Sequence, residues 1–153
     1  MKLLLPLLAF FAATAAEAQN NVTLGNQAFV EHVRVDAQGR RNVTLDPPGV
    51  VTPGDHLVFV LTYRNGGAQP ATGFAVTNPI PPQVAFERSD DATAVVSVDG
   101  GQSWGPLATL TVAQPDGSRR PAAAADVTHV RWSFSQPIPA GAEGRLTFRG
   151  IVK

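Results

Sequence analysis

The chain has 153 residues, with 12 basic and 12 acidic side chains, three histidines and no cysteine. Charge neutrality supplies no electrostatic footprint for nucleic acid or anionic lipid, because such binding needs concentrated Lys and Arg to displace counterions. The missing cysteine excludes disulfides, thiolate metal sites and lipid attachment at a lipoprotein-type cleavage site.

The N-terminus carries an export pattern. Met1-Lys2 gives one positive charge, Leu3 to Ala16 is an almost unbroken apolar run, and Ala16-Glu17-Ala18 places small residues where a signal peptidase reads. Cleavage before Gln19 is expected, so residues 1–18 read as a signal peptide. The run carries Pro6 and falls short of the roughly twenty apolar residues that a spanning helix needs. A protein destined for the periplasm, cell surface or medium follows from this, with no membrane span once the leader is gone.

Beyond the leader, period-two alternation runs between clusters of Gly, Pro, Asn and Asp. Phe29, Val33 and Val35 share one parity, and Val43 and Leu45 follow after Ala37-Gln38-Gly39-Arg40, which predicts a hairpin. Asp46-Pro47-Pro48-Gly49 ends it, since proline cannot donate to a ladder. Residues 19–48 thus read as an N-terminal hairpin appended to a main body over 49–153. After the Thr52-Pro53-Gly54-Asp55 turn, Leu57 to Tyr63 is apolar on both parities, the mark of a central strand covered on both faces.

Asn65-Gly66-Gly67 closes that strand. Phe74 and Val76, Val84 and Phe86, Val96 and Val98, and Leu110 and Val112 then mark further short strands. Val130, Trp132 and Phe134 predict one inward face near the end, and Leu146 and Phe148 another. Ala122–Ala125 is the only helical-looking piece of this part. About nine short strands point to an all-β, two-sheet sandwich. The doublets Arg40-Arg41 and Arg119-Arg120 read as solvated loop charges.

The order Val51-Thr52-Pro53-Gly54-Asp55, Tyr63-Arg64-Asn65-Gly66-Gly67 and Asn78-Pro79-Ile80-Pro81 resembles the bacterial surface family called "domain of unknown function eleven". That family reads as a PGD turn, a Y-x-N-x-G strand end and a D/N-x-[IL]-P segment. The resemblance spans about residues 50–153 and implies an immunoglobulin-like module of exported or envelope proteins without assigned catalysis. Some surface domains of this shape carry Lys–Asn isopeptide bonds. Past the leader the one lysine is Lys153, which leaves no candidate for such a link.

Ser97-Val98-Asp99-Gly100-Gly101-Gln102-Ser103-Trp104 fits S-x-D-x-G-x-[ST]-W and is similar to the Asp box of sialidase propellers. There the motif is a structural turn, which implies that Asp99 accepts backbone and Ser103 hydrogen bonds while Trp104 packs inward. Ser97, Asp99, Gly101, Ser103 and Trp104 are therefore expected to staple a hairpin, with carbohydrate binding as the alternative.

Gly101 to Gly105 also matches G-x-S-x-G, with Asp126 and His129 following in serine–acid–histidine order. That chemistry needs a strained strand-to-helix turn, and Pro106 with a strand follows instead. Asp90, Asp91 and Asp99 raise the question of calcium, but lack regular ligand spacing. His32, His56 and His129 are not at metal-ligand spacing. Glu87, at a strand end, reads as an edge charge.

The expectation is a module with no catalytic residues, no cofactor and no metal, whose partner is a protein or envelope component. A secreted hydrolase is the rival. A subunit exchanging the Leu146–Val152 strand through an open edge is a further reading, with Arg145 and Arg149 as guards against it.

Overall fold

The computed structural model describes residues 21–153, all-β and built of antiparallel sheets. The expected signal peptide lies outside the described residues. Strands are β1 (Val22–Val35), β2 (Arg41–Asp46), β3 (His56–Asn65), β4 (Ala75–Pro79) and β5 (Val84–Ser89), then β6 (Val95–Ser97), β7 (Thr111–Ala113), β8 (Arg119–Pro121), β9 (His129–Ser133) and β10 (Glu143–Val152). Their order is β2-β1-β3-β10-β5 in the large sheet and β4-β9-β6 in the smaller one, with β7-β8 a separate ribbon.

Leu57 to Tyr63 forms most of β3, at the centre of the large sheet. Its double-sided apolarity has a physical reason. Leu57, Phe59 and Leu61 are buried in the core, while Val58, of opposite parity, lies between Phe29 of β1 and Arg149 of β10 and is 2% exposed. Inward positions of both sheets meet in a single cluster. Val76, Val130 and Trp132 come from the small sheet, and Phe59, Phe86, Leu146 and Phe148 from the large one. Phe148 stacks on Phe59 with ring centres 4.5 Å apart and meets Trp132 at 6.2 Å. Burying such side chains contributes about 1.5–3 kcal/mol each. This supplies the cohesion that a chain without disulfides requires.

Two polar side chains tie the layers together. Asn65, almost fully buried, donates through Nδ2 to the carbonyls of Gln69 and Ile138, and its Oδ1 accepts from Gly67 N–H. The strand-end asparagine therefore latches the β3 loop to the turn before β10. Asn78 Oδ1, facing inward on β4, accepts from Asn26 Nδ2 on β1.

Several expectations need adjusting. The N-terminal strand begins at Val22, and its residues Val22–Val30 pair with Leu57–Asn65 of β3, so the hairpin is not appended but forms the β2-β1 side of the large sheet. Strand β10 lies between β3 and β5 and is not an edge; exchanging it would break two ladders. Arg149 is no guard either. Its guanidinium donates to Glu31, at 3.2 Å, and to Asp90. Ala124–Asp126 makes one 3-10 turn, as does Leu107–Thr109, because no longer run of helix-favouring residues supports them. Arg119 and Arg120 lie in β8, and Arg120 makes a two-pronged ion pair with Asp126 at 2.6 and 2.7 Å.

Candidate functional site: the 97–104 hairpin

Strand β6 hands the chain to a tight loop that returns at Gly105. Val96 and Gly105 exchange backbone hydrogen bonds of 2.9 and 3.1 Å, so the loop is a closed hairpin on the outer side of the small sheet. Gly100 and Gly101 both have positive φ, +76° and +92°, which glycine adopts without steric cost. That geometry folds the backbone N–H groups toward one carboxylate.

Asp99 Oδ1 accepts from Ser97 Oγ at 2.7 Å, Ser103 N at 2.9 Å and Gln102 N at 3.0 Å. Its Oδ2 accepts from Ser103 Oγ at 2.5 Å. The Ser103 hydroxyl, then the Ser103 N–H, Ser97 hydroxyl and Gln102 N–H, hold the carboxyl well below the usual carboxylate range. Ser97, fully buried, also accepts from Gly101 N–H at 2.8 Å. Thr128 anchors the loop from β9's start, accepting from Gly100 N–H and donating to the Ser97 carbonyl, both at 3.1 Å.

Trp104 donates its indole N–H to the Gly101 carbonyl at 2.9 Å. Its ring lies across two outward side chains of β9, with the Arg131 guanidinium 3.7 Å above the ring centre and the His129 ring edge-on at 6.3 Å. The tryptophan stays half-buried and caps the sheet's outer face rather than joining the central cluster.

The other predicted groups are dispersed. Ser103 is committed to Asp99, His129 Nδ1 lies 3.0 Å from the Thr128 hydroxyl, and Asp126 is held by Arg120. That ion pair first, then the Ala123 N–H, lowers the Asp126 carboxyl to about 2. His56 faces Glu87 at 3.2 Å and His32 faces Asp46 at 3.5 Å, each at a separate place on the large sheet.

Asp90 joins Arg88 and Arg149, whereas Asp91 accepts from the Thr93 N–H and hydroxyl. Among the described residues no three His, Cys, Asp or Glu side chains gather as a metal site. A hollow of about 550 Å³ opens on the outer face of the large sheet, over Gly25, Thr62 and Arg145, and holds neither Ser103, His129 nor Asp126.

Sequence reasoning found the carboxylate and its donors because they lie within seven residues of one another. It missed Thr128, Arg131 and His129 as the loop's support, since nothing local links positions 97–104 to 128–131. No family model matches the chain, and neither a curated protein nor a solved structure is significantly similar to it.

Proposed function

We propose that the chain is an exported, non-catalytic module of the bacterial cell envelope that works through its surface in structure or adhesion. On this reading residues 1–18 are a cleaved leader. The two facing sheets are an immunoglobulin-like sandwich of the "domain of unknown function eleven" type. The observation that carries the proposal is the fate of the polar side chains. Ser97, Asp99 and Ser103 bond to one another within their hairpin, Asp126 is held by Arg120, and His129 Nδ1 lies against the Thr128 hydroxyl, so the serine, acid and histidine of the motif each face a different partner. An enzyme instead holds nucleophile, base and orienting group within reach of one substrate atom. The leader pattern and the motif order at 51–81 support the compartment and the class.

The test has two arms. The full chain, produced in a bacterial host and fractionated, is expected outside the cytoplasm with Gln19 at its N-terminus. Cytoplasmic retention with Met1 or Lys2 in place would overturn the export reading. The released protein is expected not to react with a fluorophosphonate serine-hydrolase probe. Labelling that disappears in Ser103→Ala would establish the hydrolase.

Carbohydrate binding at the 97–104 loop is favoured by one observation, the half-exposed Trp104 ring beside Arg131. A saturable glycan-dependent change in tryptophan fluorescence, lost in Trp104→Ala, would establish that reading.

A further inference from the structure

The two edges of the large sheet differ in how they are closed. On one side β5 carries a bulge opposite Arg149 and Gly150, the charges Glu87 and Arg88, and a 3-10 turn beside it. These are the usual devices against strand addition. On the other side β2 has neither bulge nor covering turn, and its charges, Arg41 and Asp46, stand only at its two ends. Its six residues are all exposed, its interior Asn42–Leu45 is uncharged, and no proline interrupts it.

Beyond Val30 the hairpin of β1 and β2 projects past the core, and one face carries Val33, Val35, Val43 and Leu45, which are 41–65% exposed. An open edge joined to an apolar face is a pairing surface.

Its backbone polarity fixes the register. Asp36 N donates to the Arg40 carbonyl at 3.0 Å, and Arg40 lies opposite Asp36 by continuation of the Val35–Arg41 pairing. Even-numbered residues of β2 therefore bond to β1, and Arg41, Val43 and Leu45 turn their N–H and C=O groups to the free edge.

A second β2 can satisfy those groups in antiparallel orientation with Val43 opposite Val43, and Arg41 and Leu45 of each copy opposite one another. This makes about six hydrogen bonds. A shift of two residues one way would set Arg41 against Pro47, which has no N–H to give, and the other way would set Leu45 against Gly39 of the turn. In the favoured register Arg40 of each copy stands opposite Asp46 of the other. Parallel pairing would set like charge beside like.

We infer that β2 is a homodimerisation edge, pairing antiparallel with β2 of a second copy about a two-fold axis at Val43. The axis is perpendicular to the sheet, so the apolar faces of both hairpins merge into one surface with Val43 at its centre.

Sedimentation velocity on the full chain, purified as the producing cell releases it, tests this. The small contact predicts a reversible dimer that fills between about 10 µM and 1 mM. Val43→Pro removes an outward N–H and leaves the bonds to β1 in place, so its association should be about 100-fold weaker with an unchanged circular dichroism spectrum. Arg40→Asp and Asp46→Arg should each weaken self-association about tenfold, and mixing them should restore it as a heterodimer. A chain that stays monomeric throughout that range overturns the inference. So does a dimer indifferent to a folded Val43→Pro variant, or a mixture no tighter than its components. If Val43→Pro misfolds, the charge-swap pair decides alone. These outcomes are independent of where the protein resides or whether it labels with a probe.

Discussion

Two hairpins in this molecule turn on the same device and come to different ends. In each, an aspartate reaches across the loop. Asp36 Oδ1 accepts from Gln38 N–H and Arg40 N–H, and Asp99 Oδ1 from Gln102 N–H and Ser103 N–H. Each has a glycine of positive φ, Gly39 in one and Gly100 with Gly101 in the other. Past the turn they diverge. The 97–104 loop is bound to β9 through Thr128 and lies over Arg131 through Trp104. The 31–46 hairpin extends beyond Val30 with no core beneath it. A carboxylate-capped turn is thus a local object. Whether the hairpin it closes is rigid depends on a surface elsewhere in the chain.

The anchored hairpin is weakened most at Ser97. Replacing this buried hydroxyl by alanine leaves the Gly101 N–H without its acceptor and should cost about 1–3 kcal/mol in urea unfolding. Trp104→Ala removes the roof over Arg131 and should cost about 1–2 kcal/mol by the same measurement, with Ser103 and Asp99 untouched.

Acid sharpens the contrast. Both aspartates sit below the ordinary carboxylate range, Asp99 chiefly through the Ser103 hydroxyl and Asp36 chiefly through the Arg40 N–H. A depressed carboxyl contributes stability that is fully present above its unfolded value and is lost as pH falls toward its folded one. The stability gap between the native chain and Asp99→Asn should therefore be constant near neutrality and shrink below about pH 4. Asp36→Asn should leave global unfolding nearly unchanged. Its effect should be faster amide hydrogen exchange confined to 31–46, a segment that can open alone. The smallest expected effect is Val33→Thr, within about 0.5 kcal/mol in global unfolding, because half its side chain already meets water.

Legibility followed distance along the chain. Val130 and Trp132, and Leu146 and Phe148, declared their inward faces by alternation, and all four are buried. The same alternation at Val33, Val35, Val43 and Leu45 marks strands just as well, yet those side chains stay exposed. Period two says that residues share a face, not which face is covered. The start of β1 was hidden for a related reason. Leu24, Gly25, Asn26 and Gln27 form a weak strand by propensity, and only the ladder to β3 makes them one.

By itself the sequence determined the all-β class, the turns and the Asp99 staple, because these rest on backbone sterics and on donors a few bonds from their acceptors. The tertiary structure alone decided that β10 lies inside the sheet, that β2 is its open edge, and that Ser103, His129 and Asp126 each face a different partner. Those outcomes depend on which distant strands meet, and strand pairing is selected by the fit of whole faces rather than by any segment read alone.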